Sequence, residues 1–347
     1  MRAFAAQLAP QLRSALTIMR SRTFTTAQYP LIAHRCQAVV RCQPIQRSAR
    51  HVTSAAAAAS PGGPSSSSPK TRVGVIGAGQ MGEALIRGFL DAGAATPGRI
   101  CASVATFERR EKLQGLGIGN IFEDATEGGA ASVAQNSDVI FLGVKPQVMG
   151  PILDSLAPVL QPHHLVISIA AGIKISTLES KLGQGVRVVR VMPNTPSLVR
   201  AGASAYALGT HATQEDADLV HKLLSSVGIA IEVKEKMMDA VTGLSGSGPA
   251  YVFLMIEALA DGGVAAGLPR DTALALAAQT VAGAAQMIFQ EDKSSISGMV
   301  HPGILKDKVA SPSGTTIAGL MELEASGVRG AFARAVLKAA KRSEELG

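Results

Sequence analysis

The segment Arg72-Val73-Gly74-Val75-Ile76-Gly77-Ala78-Gly79-Gln80-Met81-Gly82 decides the fold expected for this chain. Its β-branched run over 72–77 predicts a short buried strand. The apolar residues from Leu85 to Leu90 then recur at helical spacing, which predicts a helix over 80–92. A glycine-rich turn between such a strand and such a helix is typical of the first unit of an open α/β sheet.

The same alternation of strand and helix continues to about residue 234. Further strands are predicted at 99–103, 138–144, 165–170, 187–192, 204–208 and 230–233, with helices at 107–116 and 215–227. Repeated βαβ units predict an α/β, Rossmann-type, doubly wound and mostly parallel sheet over 71–234. The pattern over 235–347 is helical only, and predicts a separate all-helical domain with helices at 236–244, 249–266, 270–290, 303–309, 316–324 and 330–345.

Residues 1–70 differ from the rest of the 347-residue chain in composition. They contain nine basic residues and no Asp or Glu, whereas 71–347 hold 24 basic and 26 acidic residues. An Arg-rich stretch without acids, followed by a linker of Ala, Pro, Gly and Ser, is typical of a transit peptide and a disordered linker. This predicts an organelle matrix, chloroplast or mitochondrion, for the mature protein; a merely disordered basic arm is the alternative.

Composition also excludes several classes of function for 71–347. The near balance of charge and the 3% content of aromatic residues argue against nucleic-acid binding. Only Cys101 lies in this part, so neither a disulfide framework nor a metal site is expected. The apolar runs 250–268 and 273–289 contain polar residues and are short for membrane spans, which favours burial against a partner subunit.

The glycine loop predicts a dinucleotide cofactor. Gly77 would permit the tight turn, Gly79 would let the pyrophosphate approach the backbone, and Gly82 would let the helix pack on the strand. The start of the helix would offer unpaired N–H groups to phosphate. A purely structural glycine turn is the alternative.

The second predicted strand favours NADPH over NADH, although NADH stays possible. An NAD-binding strand usually ends in Asp or Glu, whereas this one ends at Ser103, with Arg109 and Arg110 nearby. A hydroxyl and guanidinium groups suit a 2′-phosphate. Alternatively, both arginines simply lie on a solvated helix face.

Three more loops follow predicted strands, at 143–146, 169–172 and 192–196. Lys145 could act as an acid, position the ligand or lie free on the surface, and we favour positioning. Asn194 could bind the ligand or cap a turn. The cofactor contacts predicted from all these segments are Ile76, Gly77, Ala78, Gly79, Gln80, Met81, Ser103, Val144, Lys145, Pro146, Ala170, Ala171 and Asn194.

A hydroxyl-rich loop, Ser311-Pro312-Ser313-Gly314-Thr315-Thr316, joins two predicted helices. Thr316 is predicted to cap the second helix. Hydroxyls and backbone N–H groups at a helix start suit a small carboxylate, although an ordinary capped helix start explains the residues as well.

Several segments together resemble one family. The run His301–Leu320, HPGILKDKVASPSGTTIAGL, is similar to the signature of the pyrroline-5-carboxylate reductases. The segments 239–251 and 257–263, the glycine loop, Val144-Lys145-Pro146 and Asn194-Thr195-Pro196 also match the family pattern. The resemblance covers 72–346 in order and is nearest to the plant-type members.

The resemblance implies NADPH-dependent reduction of L-1-pyrroline-5-carboxylate to L-proline, the last step of proline biosynthesis. It implies that Ser311, Thr315 and Thr316 bind this imino acid, and that Thr316 acts catalytically by hydrogen-bonding the ring nitrogen. Hydride transfer would need the nicotinamide and the imine carbon about 3–3.5 Å apart. The helical part would be a dimerisation domain whose homodimers assemble further.

Two positions depart from the family pattern. Residue 313 is Ser where the family usually has Gly, so its side chain is expected either to narrow the loop or to demand a different backbone angle. Met299 replaces a Glu found in several members. A hydroxyacid-type dehydrogenase of similar architecture and a non-enzymatic nucleotide-binding protein are the alternative functions.

Overall fold

A computed structural model of the chain describes residues 71–123, 128–290 and 298–346. The predictions for residues 1–70, the transit peptide and the linker, lie outside the described residues. The described residues all belong to one unit.

The described strands form one eight-stranded sheet, which confirms the predicted fold class. Its order is β3-β2-β1-β4-β5-β6-β7-β8, and neighbouring strands from β3 to β6 are parallel. The strands are β1 Val73–Ile76, β2 Ile100–Val104, β3 Asn120–Glu123, β4 Val139–Leu142, β5 Leu165–Ser168, β6 Arg187–Met192, β7 Gly202–Leu208 and β8 Gly228–Glu232.

Helices connect these strands and continue after them. The connecting helices are α1 Gln80–Asp91, α2 Phe107–Gln114, α3 Ala130–Gln135, α4 Met149–Leu156, α5 Ile175–Leu182 and α6 Gln214–Ser225. The later helices are α7 Met238–Val241, α8 Gly248–Ala265, α9 Arg270–Ile288, α10 Pro302–Val309, α11 Thr315–Ala325 and α12 Val328–Leu346. A π-helical segment, Thr242–Gly246, continues α7.

Some elements, namely β3, α3 and α5, were not predicted individually. Length alone does not account for this, since β1 and α2 are equally short. β3 begins and ends with the exposed polar residues Asn120 and Glu123, whereas Ile175, Leu178 and Leu182 of α5 do recur at helical spacing and this signal was missed. Pro146 was expected in the first turn of the next helix, but it begins a short 3₁₀ turn, Pro146–Val148, and α4 starts only at Met149.

The core lies on both faces of the sheet. Every residue of β1, β2, β4 and β5 is buried, as parallel strands covered by helices on both faces require. One cluster includes Leu85 and Phe89 of α1, and the other includes Ile152 of α4 and Leu178 of α5. The sheet is therefore a rigid base for the loops at its edge.

An ion pair joins the amino ends of β1 and β4. The Arg72 Nη2 atom lies 2.6 Å from Asp138 Oδ1, and the Arg72 backbone N–H donates to Asp138 Oδ2 at 2.8 Å. Burial alone would raise the pKa of Asp138, but the hydrogen bonds from Arg72 outweigh it and hold the pKa below its usual value. The two strands are thereby aligned at the end opposite the glycine loop.

The last two strands run opposite to the first six, from the carboxyl edge of the sheet towards its amino edge, but the second of them is short and ends near the carboxyl edge. β7 runs antiparallel to β6, and β8 runs parallel to β7. Tyr206 pairs with Val191 on one side and with Glu232 on the other. The last residue of β8 therefore lies level with Val191, one residue before the end of β6. The helical region therefore begins near the edge where ligands bind in such sheets.

The helical region packs mainly through small residues. Helices α8 and α9 meet at Ala260, Ala273 and Ala277. Large apolar side chains on these helices and on α11 face outward instead, including Phe253, Leu254, Leu259, Leu274, Leu276 and Met321. Among the described residues, no helix combines the length and the apolar character that a membrane crossing requires.

Candidate active site

Three of the predicted loops meet at the carboxyl edge of the sheet, because β1, β4 and β5 are neighbours. The Gly143 N–H donates to Ile76 O at 2.8 Å, and the Ile169 N–H donates to Leu142 O at 3.1 Å. A β-carbon at Gly143 would lie only 2.8 Å from Gly77 O and 3.5 Å from Ile169 Cδ1. The backbones after these strands thus form one continuous surface.

The three glycines of the first loop have the environments that their predicted roles require. Gly77 has φ +77°, and a β-carbon there would lie 2.5 Å from Val144 Cγ1. A β-carbon at Gly82 would lie 3.0 Å from Val75 Cγ1, where α1 packs on β1. At Gly79 the nearest atom would be 4.0 Å away, so the space beside this residue is open. Neighbouring atoms therefore crowd Gly77 and Gly82, whereas the space beside Gly79 is open. This is the arrangement that a cradle for a pyrophosphate needs.

Among the other predicted contacts in this loop, Gln80 is exposed and Met81 is half-buried at the start of α1, whereas Ile76 and Ala78 are buried. The buried two could meet a ligand only through their backbone atoms. The first turn of α1 adds Glu83, and no side chain caps the helix start. Its N–H groups therefore remain available to an anion.

Ser103 lies beneath the glycine loop. β2 runs one residue further than predicted, to Val104, and the Ser103 side chain is fully buried. The Gly77 N–H donates to Ser103 Oγ at 3.1 Å, and the Ala78 N–H donates to Ser103 O at 2.9 Å. The hydroxyl thus supports the loop backbone, and a direct bond to the cofactor stays a prediction.

Both arginines near the end of β2 already face carboxylates. Arg109 Nη1 lies 3.7 Å from Glu83 Oε2, and Arg110 forms an ion pair with Glu123 of β3. The pair with Glu83 is long and half-exposed, so it contributes little. Arg109 is therefore the less firmly held of the two guanidinium groups.

The remaining predicted cofactor residues lie along the same edge. Val144 and Pro146 are half-buried and Lys145 is exposed after β4, while Ala170 and Ala171 follow β5. Gly172, at φ +80°, then turns the chain against the end of α12, where its β-carbon would lie 3.2 Å from Leu346 Cβ. The helical region thus touches one of the candidate cofactor loops.

Asn194 is a cross-link between segments. Its side chain is buried; its Oδ1 atom accepts from the Ala203 N–H at 2.9 Å, and its Nδ2 atom donates to Ser245 O at 3.1 Å. This amide holds the end of β6, the start of β7 and the π-helical segment together. The geometry gives Asn194 a supporting position, and a contact with the cofactor stays a prediction.

The prediction that Thr316 caps the following helix is wrong. α11 begins at Thr315, its N-cap residue is Gly314, and no side chain makes a capping bond. A β-carbon at Gly314 would lie 2.2 Å from Ser311 Oγ, so the chain turns too tightly here for a larger cap residue. Ser311, Thr315 and Thr316 form no side-chain hydrogen bond within the described residues.

Ser313 has the backbone angle of a glycine. Its φ is +56°, one of two positive values at non-glycine residues among the described residues. This region costs an ordinary residue roughly 1–2 kcal/mol. The Ser311–Thr316 loop therefore carries backbone strain at Ser313.

The hydrogen bonds described for this loop stay within the helical region. The Gly314 N–H donates to Ser311 O, and the Ala318 N–H donates to Gly314 O. The two halves of the predicted site are thus built separately, one on the sheet and one between α10 and α11. In the described part of the chain, no cluster of three or more His, Cys, Asp or Glu residues could hold a metal ion.

The residues that sequence reasoning missed lie where the sheet meets the helical region. Arg190 in β6 is buried and faces Glu235 and Asp239. The signal was a single charge inside the apolar run Val188–Val191, which requires an acidic partner. Nothing in the sequence says which acid that is.

Two family models match the chain. The model described as pyrroline-5-carboxylate reductase dimerisation matches residues 235–346. The model described as NADP oxidoreductase, coenzyme F420-dependent, matches residues 72–172. The first covers the helical region, and the second covers the glycine loop and the loops after β4 and β5.

Relatives match over nearly their whole length. A pyrroline-5-carboxylate reductase of Arabidopsis thaliana is 50% identical over 276 residues, which is 79% of this chain and 95% of the relative. A pyrroline-5-carboxylate reductase of Methanosarcina acetivorans is 48% identical over 277 residues, which is 80% of this chain and 98% of the relative. The crystal structure of Plasmodium falciparum pyrroline carboxylate reductase with NADP bound is 33% identical, with a TM-score of 0.70, and covers 81% of this chain and all of that one. This chain therefore belongs to the pyrroline-5-carboxylate reductase family.

Proposed function

We propose that this protein uses NADPH to reduce L-1-pyrroline-5-carboxylate to L-proline. In this reaction NADPH is oxidised to NADP+ as its hydride passes to the imine carbon, and the ring nitrogen carries a proton that comes from the protonated substrate or from water, so that one C=N bond becomes a C–N single bond. The observation that carries the proposal is the cradle at Gly77–Gly82 in a chain of this family. The family's substrate is an imine, which a dinucleotide-binding sheet alone would not indicate.

The residues along the sheet edge fit the cofactor. Gly79 leaves room for a pyrophosphate, and the start of α1 offers backbone N–H groups to its charge. The absence of an acid at the end of β2 removes the repulsion that a 2′-phosphate would otherwise meet. NADPH supplies the hydride when bound. The further contacts of Ser103, Val144, Lys145, Pro146, Ala170, Ala171 and Asn194 are proposed on their positions in or beneath the same edge.

The Ser311–Thr316 loop is proposed as the substrate site. The hydroxyls of Ser311, Thr315 and Thr316 have no side-chain partner in the described part of the chain, and α11 begins within this loop. The N–H groups of this helix start suit the substrate carboxylate. We assign the Thr316 hydroxyl to the ring nitrogen, where it orients the imine and leaves its carbon open to the hydride.

A homodimer is the proposed form of the protein, and further assembly of dimers is proposed from the family resemblance. The match of 235–346 to a dimerisation family supports this, as do the exposed apolar side chains of α8, α9 and α11. Many exposed large apolar side chains in one region are typical of an interaction site. We divide the described chain at about residue 235 into a cofactor domain and a dimerisation and substrate domain.

Residues 1–70 are proposed to be a transit peptide with a linker that directs the protein to an organelle matrix. Their basic, acid-free composition supports this proposal. The choice between chloroplast and mitochondrion is left to experiment.

Gly79→Ala tests the cofactor cradle. The added methyl group meets open space in the protein itself, so the melting temperature should stay within about 2 °C of wild type. It would occupy the approach path of the pyrophosphate, and the Kd for NADPH should rise about 10-fold or more. Fluorescence titration of NADPH measures this. Gly98→Ala, which also meets open space, is the control and should bind as wild type.

Thr316→Ala tests the catalytic assignment. The wild-type protein should oxidise NADPH when L-1-pyrroline-5-carboxylate is added, and the variant should lose about 100-fold in kcat, because the imine is no longer oriented. Its Kd for NADPH should not change, and Thr316→Ser should restore most of the rate. Ser326→Ala, at the other end of α11, is the control. Normal turnover of the Thr316→Ala variant would exclude the assigned role.

Leu254→Glu tests the dimer. Leu254 on α8 is 67% exposed, so a single chain tolerates a carboxylate there, whereas a dimer interface would bury it unpaired. Light scattering should show the wild type as a dimer or larger and the variant shifted to monomer. Ser180→Glu on the exposed face of α5 should leave the mass unchanged. A wild-type monomer at micromolar concentration would refute the proposal.

A fluorescent protein fused after residue 70 tests the leader. The fusion should accumulate in plastids or mitochondria, and the imported protein should lack the N-terminal segment by mass spectrometry. Replacing Arg13, Arg20 and Arg22 by Gln should reduce import, because such leaders depend on their positive charge. A fusion that stays in the cytosol at full length would contradict the assignment.

A further inference from the structure

One buried guanidinium connects the sheet to the helical region. The Arg190 side chain is 4% exposed; its Nη1 atom lies 3.3 Å from Glu235 Oε1, and its Nη2 atom lies 3.7 Å from Asp239 Oδ1. A buried charge is tolerated only when it is paired and hydrogen-bonded. Both carboxylates come from the segment that follows the last strand, so the sheet depends on that segment to neutralise Arg190.

Each carboxylate makes a second bond to another part of the chain. Glu235 Oε1 accepts from the Ile175 N–H at 2.6 Å, and Asp239 Oδ1 accepts from the Ser343 hydroxyl at 2.7 Å. Ser343 is itself buried in the last turn of α12. The cluster therefore joins β6, the start of α5, the segment after β8 and the end of α12.

The bond from Ile175 is the one that reaches the cofactor edge. Ile175 is the first residue of α5, and such first-turn N–H groups have no partner within their own helix. No side chain of the preceding residue caps this helix. Glu235 supplies the missing acceptor from a distant part of the chain, and its negative charge is favourable at a helix N-terminus.

The loop 169–174 is thereby held at several points. At its start, Ile169 packs beside Gly143 and next to the glycine loop. At its middle, Gly172 has φ +80° and turns against Leu346 of α12, where an added β-carbon would lie 3.2 Å from Leu346 Cβ. At its end, Glu235 fixes the first turn of α5. Two of these three supports come from the helical region.

We propose that Glu235 is a positioning residue for NADPH, and that Arg190 orients its carboxylate. Glu235 fixes the start of α5 and thereby sets the backbone of Ala170 and Ala171 at the cofactor edge. The inference rests on the proposed NADPH site. It makes cofactor affinity dependent on the helical region, although Glu235 lies outside the glycine loop and the loops that follow β4 and β5.

Glu235→Ala tests the inference in the full-length protein. Loss of the acceptor frees the start of α5, and the Kd for NADPH, measured by fluorescence titration, should rise about 10-fold. The KM for L-1-pyrroline-5-carboxylate should stay within about 2-fold of wild type, because the Ser311–Thr316 loop is built separately. Glu235→Gln keeps an oxygen acceptor for the Ile175 N–H but loses the charge. Its Kd for NADPH should therefore lie between those of the wild type and the Glu235→Ala variant, about 3-fold above wild type.

Glu232→Ala is the matched control, since Glu232 is exposed three residues earlier and should bind NADPH as wild type. Wild-type NADPH affinity of Glu235→Ala would overturn the inference, and so would an equal rise in its Kd for NADPH and its KM for the imino acid. If the Ala variant does not fold, the Gln variant decides alone, and its wild-type affinity would overturn the inference. If the wild-type protein binds NADPH but does not reduce the imino acid, the proposed reaction is refuted. The Kd for NADPH of each Glu235 variant, relative to that of the wild type, would still test the role of Glu235.

Discussion

The close backbone approach of the segments that follow β1, β4 and β5 is the constraint on which the candidate site depends. Gly143 lies so near Gly77 O and Ile169 that any side chain at this position would force the strands apart. The parallel order of these strands brings their carboxyl ends together, and glycine lets the chain turn there without a side chain between the strands. The Gly77–Gly82 cradle and the loops after β4 and β5 share this contact, while Ser103 supports the cradle separately from β2.

The fold was largely predictable because its signals are local. The buried runs 139–142 and 165–168 contain almost only apolar residues, and a parallel sheet buried on both faces needs nothing more specific. The glycine spacing of 77–82 predicted a turn whose steric environment then agreed at each glycine. β3 escaped prediction because its first and last residues, Asn120 and Glu123, are exposed and polar at the edge of the sheet. α5 was predictable in principle, since Ile175, Leu178 and Leu182 recur at helical spacing.

The site was less predictable, because it depends on which distant groups meet. Asn194 was recognised as polar and well placed, but its two partners, Ala203 and Ser245, are defined only by the folded chain. Arg190, a charge within an apolar strand, indicated that an acidic partner exists, but the sequence did not show that Glu235 is this partner. Thr316 is of a residue type that commonly caps helices, but it does not cap this one. The N-cap position falls at Gly314, and the helix already begins at Thr315. Local patterns thus identify candidate residues, whereas their partners follow from tertiary packing.

Ser313 illustrates how misleading solvent exposure can be. This residue is exposed and makes no described side-chain bond, so a surface-redesign protocol would treat it as freely replaceable. Its left-handed backbone, at φ +56°, admits glycine and, at some cost, asparagine or aspartate, but it penalises every β-branched residue. The set of amino acids that evolution can sample at this position is therefore restricted by the geometry of the main chain alone, and a directed-evolution library built here should be correspondingly narrow.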